Sequence, residues 1–248
     1  DDVLYAIGST IHEVGHGLYE QGLSAAQAYT PLAEAISLGI HESQSRLWEN
    51  IVGKDLLFWK WFQPQLAKAF PKPFAKLSAE QLWKHANRVS PSFIRTEADE
   101  VTYNLHIVLR YRLERALLEG SLAVKHLPAA WNNGLQELLG ITVPTDARGV
   151  LQDVHWSAGL VGYFPTYTLG NLYSAQFFQQ AEQDTPRLRS SFVKGTFGPL
   201  LGWLRTNIHK QGKRYSADAL VKRVTGKPLS SKPFLAYLTK KMTDVYEL

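Results

Sequence analysis

His12 and His16 lie four residues apart with Glu13 beside the first, giving the pattern H-E-x-x-H. Residues i and i+4 share one face of a helix, so both imidazoles can reach one cation. Glu13 sits one step round the helix, where its carboxylate can take a proton from a water held by that cation. Such a set could carry out metal-assisted hydrolysis. Tyr5, Ser9 and Tyr19 fall near the same face and could line it. The competing reading is a pair of core histidines bonded to backbone carbonyls, because a pattern this short also arises by chance.

A catalytic zinc site commonly uses three protein ligands and leaves a position for water. Glu20, Glu34, Glu42 and Glu49 all lie downstream. Glu20 is on the same helix, two turns from His12, and would have to curl back. Glu34 lies in a less regular stretch after Pro31. Glu42 and Glu49 share a face of the next helix, with Arg46 one turn from each. A metal-binding glutamate held by a neighbouring arginine fits that spacing. An exposed Glu–Arg pair of little energetic weight fits it too. Spacing alone does not choose between Glu42 and Glu49.

The elements that must position these groups are helical. Leu4, Ile7, Ile11, Val14 and Leu18 recur at spacings of three and four, giving one apolar stripe. Asp1 or Asp2 suits the cap of this helix and Gly22 its stop. Further helices are expected over 41–52 and 55–70, the latter broken by Pro71 and Pro73. Ser78 suits the start of another. Thr96 and Asp99 read as a capping arrangement for a helix carrying Val101, Leu105, Val108, Leu109, Leu113 and Leu117, ended by Gly120. A helix over 122–139 follows. Gly149, Gly159, Gly162 and Pro165 make 141–166 a loop with room for a short strand. Helices return over 167–184 and continue to the end, with Ser230 or Ser231 capping the last. The expected class is all-α, a helical array with at most a small sheet and a zincin-like metal site on a helix.

The length of 248 residues suits one large domain or two small ones. Hydrophobic residues at 45% and charged residues at 20% are ordinary for a globular chain. The net charge of +5 is modest and gathers in no basic tail. Pairs such as Lys240 and Lys241 read as solvated helix faces, so neither nucleic acid nor a membrane surface is an expected partner. Without cysteine there is no disulfide framework and no thiol catalysis, which fits the cytoplasm. No run approaches the roughly 18 apolar residues that span a bilayer. The chain opens without Met and enters a helix at once, so its start reads as a cut through a longer protein.

At H-E-V-G-H-G-L-Y-E-Q (His12 to Gln21) and H-E-S-Q (His41 to Gln44), the chain resembles the carboxypeptidase Taq family of metallocarboxypeptidases. I-R-x-x-A-D follows at Ile94, Arg95, Ala98 and Asp99. G-x-x-Q-D-x-H-W follows at Gly149, Gln152, Asp153, His155 and Trp156. Four motifs in order are highly specific. The resemblance implies a mostly helical enzyme with its site deep in a long groove. It implies dependence on zinc (Zn2+) or cobalt (Co2+), and removal of residues from the free C-terminus of peptides with broad specificity. It also implies a homodimer when full length. By the same resemblance His12, His16 and Glu42 are the metal ligands and Glu13 is the general acid/base. Two further family motifs, H-P-F and D-x-R-x-T, precede the metal helix in the family and do not occur in these 248 residues. The chain therefore reads as the carboxy-terminal part of a longer metallocarboxypeptidase, and low activity is expected of it in isolation.

A carboxypeptidase must bind a terminal carboxylate, and arginine's planar fork suits that task. Arg95 is the first choice, with Arg46 and Arg110 as rivals. A surface arginine beside an acidic turn is the plainer reading of Arg95. His155, in a loop without helical period, could donate to a carbonyl oxygen or to the substrate carboxylate, with Asp153 orienting a neighbour. Tyr163 and Tyr167 flank a glycine-rich aromatic turn and could stabilise an oxyanion, although aromatic clusters are more often packing. Trp48, Trp59, Trp61 and Trp83 suit core or groove lining. The alternatives are another H-E-x-x-H peptidase, acting at the amino end or within a chain, and a non-catalytic helical protein with a structural metal.

Overall fold

A computed structural model describes residues 3–248, and all regular structure among them is helical. The expected cap at Asp1 or Asp2 lies outside the described residues. The apolar stripe becomes helix α1, Val3–Glu20. Helix α2 is Leu38–Arg46, and the chain continues without a break into a π-helical turn, Leu47–Val52. Its start is earlier than the sequence suggests, because the Ser37 side chain accepts from the backbone N–H of Ile40 and nucleates the first turn. Helix α3, Leu56–Ala69, is capped by Asp55, and Pro71 opens the short α4, Pro71–Phe74. Ser78 and Gln81 form a reciprocal capping box at α5, Ala79–Ala86.

Helix α6 is Tyr103–Leu118. Asp99 holds the turn that leads into it, accepting from the N–H groups of Val101 and Thr102, whereas Thr96 lies in a separate 3-10 turn. Helix α7 is Leu127–Leu139 and ends at Gly140 with φ +68°. The stretch before α8, Pro165–Asp184, is loop and single turns with no strand. Helices α9 (Gly198–Asn207), α10 (Ala217–Thr225) and α11 (Lys232–Tyr246) complete the chain. At α11 the Ser230 hydroxyl, not that of Ser231, accepts from the N–H of Lys232.

The chain divides into two compact units. One holds the residues up to Asn87 together with Leu169–Leu248; the other is Arg88–Thr168. The first unit's core gathers Ile40, Leu47, Trp48, Trp59, Trp83, Phe177, Leu204 and Leu220. Each such side chain contributes roughly 1.5–3 kcal/mol by leaving water. Trp61 is only partly buried and, with Phe58, Phe62 and Ile7, lines an apolar groove beside α1. The second unit's core is Leu109, Leu113, Leu127, Trp131 and Leu135, with Tyr103, Ile107 and Phe164 as a neighbouring cluster. Lys241 corrects the reading of a solvated lysine pair: it is buried, and its Nζ donates to the Asn50 carbonyl and the Tyr237 hydroxyl. Among the described residues no helix is long and apolar enough to cross a membrane.

Gly15 sets how close α1 comes to α2. A Cβ there would stand 2.6 Å from the Cα of Ser45 and 2.9 Å from the Gln44 carbonyl oxygen. Only a residue without a side chain allows the two backbones this approach.

His209 packs behind the same pair of helices. It is fully buried, and its Nε2–H donates to Gln44 Oε1 at 2.9 Å. Burial, then the charge of Arg205, pushes its imidazole down to about 3. The folded value thus lies below the unfolded one, about 6.5. Above pH 6.5 both states are neutral and nothing is lost. As pH falls from there towards 3, the unfolded chain takes a proton that the folded chain refuses, at about 1.4 kcal/mol per pH unit. Urea unfolding at pH 7.5 and 5.5 should show this loss, and His209→Gln should flatten the slope by about one proton. An unchanged slope in the variant refutes the assignment.

Candidate metal centre

Helix α1 presents His12 and His16 on one face, one turn apart, as their spacing requires. Their Nε2 atoms stand 3.2 Å from each other. Oε2 of Glu42, on α2, lies 3.9 Å from Nε2 of His12 and 3.6 Å from Nε2 of His16. All three ligand atoms fall within 4.8 Å of one another. Glu42 is buried, and α8 leaves room for it at Gly170, where a Cβ would stand 2.5 Å from the Glu42 Cγ.

The surrounding bonds decide what those atoms carry. His12 Nδ1 is 2.8 Å from Glu49 Oε2, and an ionised carboxylate can only accept, so the proton is on Nδ1. In the neutral imidazole Nε2 then offers its lone pair to a cation. Arg46 donates through Nε to Glu42 Oε1 at 2.7 Å and through Nη1 to Glu49 Oε2 at 3.2 Å. Burial raises the pKa of the Glu49 carboxyl, but Arg46 and the His12 hydrogen bond more than offset it and hold it at about 2. One oxygen of Glu42 is thereby tied back and the other faces the histidines.

Two nitrogen ligands about 2.0–2.1 Å from a tetrahedral zinc sit about 3.3 Å apart. The observed 3.2 Å matches that spacing. Two imidazoles and one carboxylate, facing one point from a rigid helix pair, fit a zinc-type divalent metal by donor type, number and separation. Glu13 is exposed on α1 next to His12.

The other sequence candidates for the third ligand are engaged elsewhere. Glu20 bonds His41, Glu34 pairs with Lys213, and Glu49 supports His12 from behind. Tyr19 is a core residue rather than site lining: it is fully buried, its hydroxyl accepts from the Ile36 N–H, and its ring packs on His41 and His209. Arg46 is likewise committed to two glutamates. The sequence reading missed Glu49 as a partner of His12, although its shared face with Glu42 and Arg46 was the available signal. It missed Gly170 entirely, since no local pattern marks a glycine opposite a distant side chain.

The second unit gathers Arg95, Tyr103, Arg110, Asp153, His155, Tyr163 and Tyr167. Asp153 bridges both arginines: Oδ1 accepts from Arg95 Nε and Nη2 at 3.1 and 2.7 Å, and Oδ2 accepts from Arg110 Nε at 2.6 Å. Gln152 Oε1 accepts from the Arg95 backbone N–H and from Arg110 Nη2. Arg95 Nη1 donates to the Tyr103 hydroxyl, and its guanidinium lies over the Tyr167 ring at 4.6 Å. Arg95 is therefore buried at 6% exposure, not the surface arginine that its acidic neighbours suggested. Burial raises the Asp153 pKa, but Arg110 and Arg95 outweigh it and hold the carboxyl below its usual value. His155 Nε2 is 2.9 Å from the Tyr167 hydroxyl, and its ring is 5.3 Å from that of Tyr163. Burial keeps the His155 imidazole below its ordinary value. Glu114, also missed, accepts from Trp156 Nε1 and from the Gly162 N–H, both at 2.8 Å, and so holds the loop carrying His155 and Tyr163.

Helices are the only regular structure among the described residues, and H-E-x-x-H histidines that converge with a buried glutamate fit the metallopeptidase class. The chain belongs to the carboxypeptidase Taq (M32) metallopeptidase family, which it matches over residues 1–242. It is 51% identical over 240 residues to thermostable carboxypeptidase 1 of Thermus thermophilus, covering 97% of this chain and 47% of that protein. It is 42% identical over 247 residues to carboxypeptidase 1 of Bacillus subtilis, covering 100% and 49% respectively. The crystal structure of an M32 carboxypeptidase from Deinococcus radiodurans superposes with a TM-score of 0.95 at 45% identity, over 98% of this chain and 49% of that one. The chain thus spans about half the length of the curated relatives it matches.

Proposed function

We propose that this chain is the metal-binding, carboxy-terminal part of a longer cytoplasmic metallocarboxypeptidase, homodimeric when full length, that removes C-terminal residues from peptides with broad specificity. The observation that carries the reading is the convergence of His12 Nε2, His16 Nε2 and Glu42 Oε2 next to Glu13. His12, His16 and Glu42 hold the metal, zinc first and cobalt as a substitute. When bound, the metal supplies Lewis-acid chemistry and lowers the pKa of water towards neutrality.

The chain's own groups do the rest. Glu13 accepts the proton from the attacking water and delivers it to the departing amine. Arg95 anchors the terminal carboxylate: Asp153 and Tyr103 use three of its N–H groups, and the guanidinium has further donors. Tyr163 donates to oxygens that gain charge, and so does one of His155 and Tyr167, which share a hydrogen bond and have a single donor left between them.

The test uses the full-length enzyme and two peptides that differ only at the C-terminus, one free and one amidated. The free peptide should lose residues from its C-terminal end, chelation should stop this, and added zinc should restore it. The amidated peptide should stay intact over the same period. Equal cleavage of both would make the protein an aminopeptidase or endopeptidase instead.

A further inference from the structure

Behind His16 lies a second line of bonded groups that the proposed chemistry does not use. His16 Nδ1 stands 2.6 Å from His41 Nδ1, and His41 Nε2 stands 2.8 Å from Glu20 Oε1. Both Nδ1 atoms cannot carry protons at that separation. If His16 Nε2 is a metal ligand, as the proposed function holds, its proton is on Nδ1. His41 must then accept at Nδ1 and carry its own proton on Nε2, which donates to Glu20. Glu20, as a carboxylate, can only accept. Each bond thus has one possible direction, running outward from the metal face to the surface of the protein. His41 is further fixed by the Tyr19 ring at 5.1 Å, while the Glu20 side chain is 55% exposed.

We propose that His41 and Glu20 are positioning residues of the metal centre, forming a relay that locks His16 into the Nε2-ligating tautomer and ring orientation. The arrangement parallels that at His12, where Glu49 accepts from Nδ1, but here a neutral imidazole stands between ligand and carboxylate. The two histidine ligands therefore have different backing: Glu49 bonds His12 directly, and Glu20 reaches His16 only through His41. Partners of this kind typically change metal affinity by about 10–100-fold when removed.

The experiment titrates Zn2+ against a competing chelator in the full-length enzyme and in three variants. His41→Phe keeps a ring against Tyr19 but removes the acceptor, and its dissociation constant should rise about 10–100-fold. Glu20→Ala, at a largely exposed side chain, should raise it by a smaller factor. In His41→Asn the side-chain oxygen lies near the place of the lost Nδ1, and it should recover part of the affinity that His41→Phe loses. A role in packing alone would give no such rescue. Wild-type zinc affinity in His41→Phe or in Glu20→Ala overturns the relay while leaving the metal site itself intact. No zinc binding by the unmodified full-length enzyme overturns the metal site and the relay together.

Discussion

Glu13→Gln should bind zinc as the unmodified protein does and yet lose turnover by at least about 10²-fold, and up to about 10⁴-fold. Gln keeps nearly the shape of Glu and can still hydrogen-bond a water, but it cannot accept a proton at neutral pH. The groups that converge on the metal position, His12, His16 and Glu42, are untouched, and so are their partners Glu49, Arg46 and His41. Only the proton transfers are removed. The comparison is Glu42→Gln, which should lower zinc affinity first and activity as a consequence. The measurements are kcat on a free-carboxylate peptide and bound zinc per chain, both in the full-length enzyme. Near-normal turnover in Glu13→Gln with zinc in place would move the proton-transfer role to another residue. Loss of zinc in the same variant would make Glu13 a ligand.

The second large effect is on stability. Asp153→Ala should cost about 3–5 kcal/mol, the usual result of removing one partner of a buried ion pair. Arg110 is fully buried and Arg95 nearly so, and Asp153 is the carboxylate that both contact. Without it two guanidinium charges are left close together in a poorly solvated place. Arg110 also stacks on Trp131 at 4.5 Å, so it cannot swing out to water without opening the core of the second unit. The carboxyl's folded pKa is depressed, so its contribution is full above the ordinary aspartate value of about 3.9 and is lost as pH falls through the folded one. Urea unfolding at pH 7 measures the change. A loss under about 1 kcal/mol, the range of exposed pairs, would mean that the arginines are solvated without Asp153.

The sequence was most legible where the physics is local. The α1 stripe and the positions of His12 and His16 follow from a period of 3.6 residues, and the structure has them so. Asp55 and Ser78 cap helices because their side chains reach N–H groups two or three residues away. Arg46 within one turn of both Glu42 and Glu49 was equally readable, and both bonds form. Local reasoning erred at Thr96, which lies in a separate 3-10 turn, while the Asp99 carboxylate bonds two N–H groups just ahead of α6.

Tertiary contacts decided the rest. Helical period puts Glu42 and Glu49 on one face and cannot rank them. The ranking comes from the approach of α2 to α1 over Gly15, which brings Glu42 Oε2 to the two Nε2 atoms, and from the π-helical turn, which carries Glu49 to the far side of His12. Glu20, weighed as a ligand because it shares a helix with the histidines, is turned outward to His41 instead. Arg95 and Asp153 are 58 residues apart, and nothing in either neighbourhood announces their bond. By itself the sequence determined an all-helical chain, its family motifs and the histidine pair, because these depend on neighbours along one helix or on motif identity. Which carboxylate faces the histidines was open to the sequence through family resemblance alone; the packed structure gives that choice its geometry and alone decides which groups stand behind the histidines, because both depend on how closely separate helices approach.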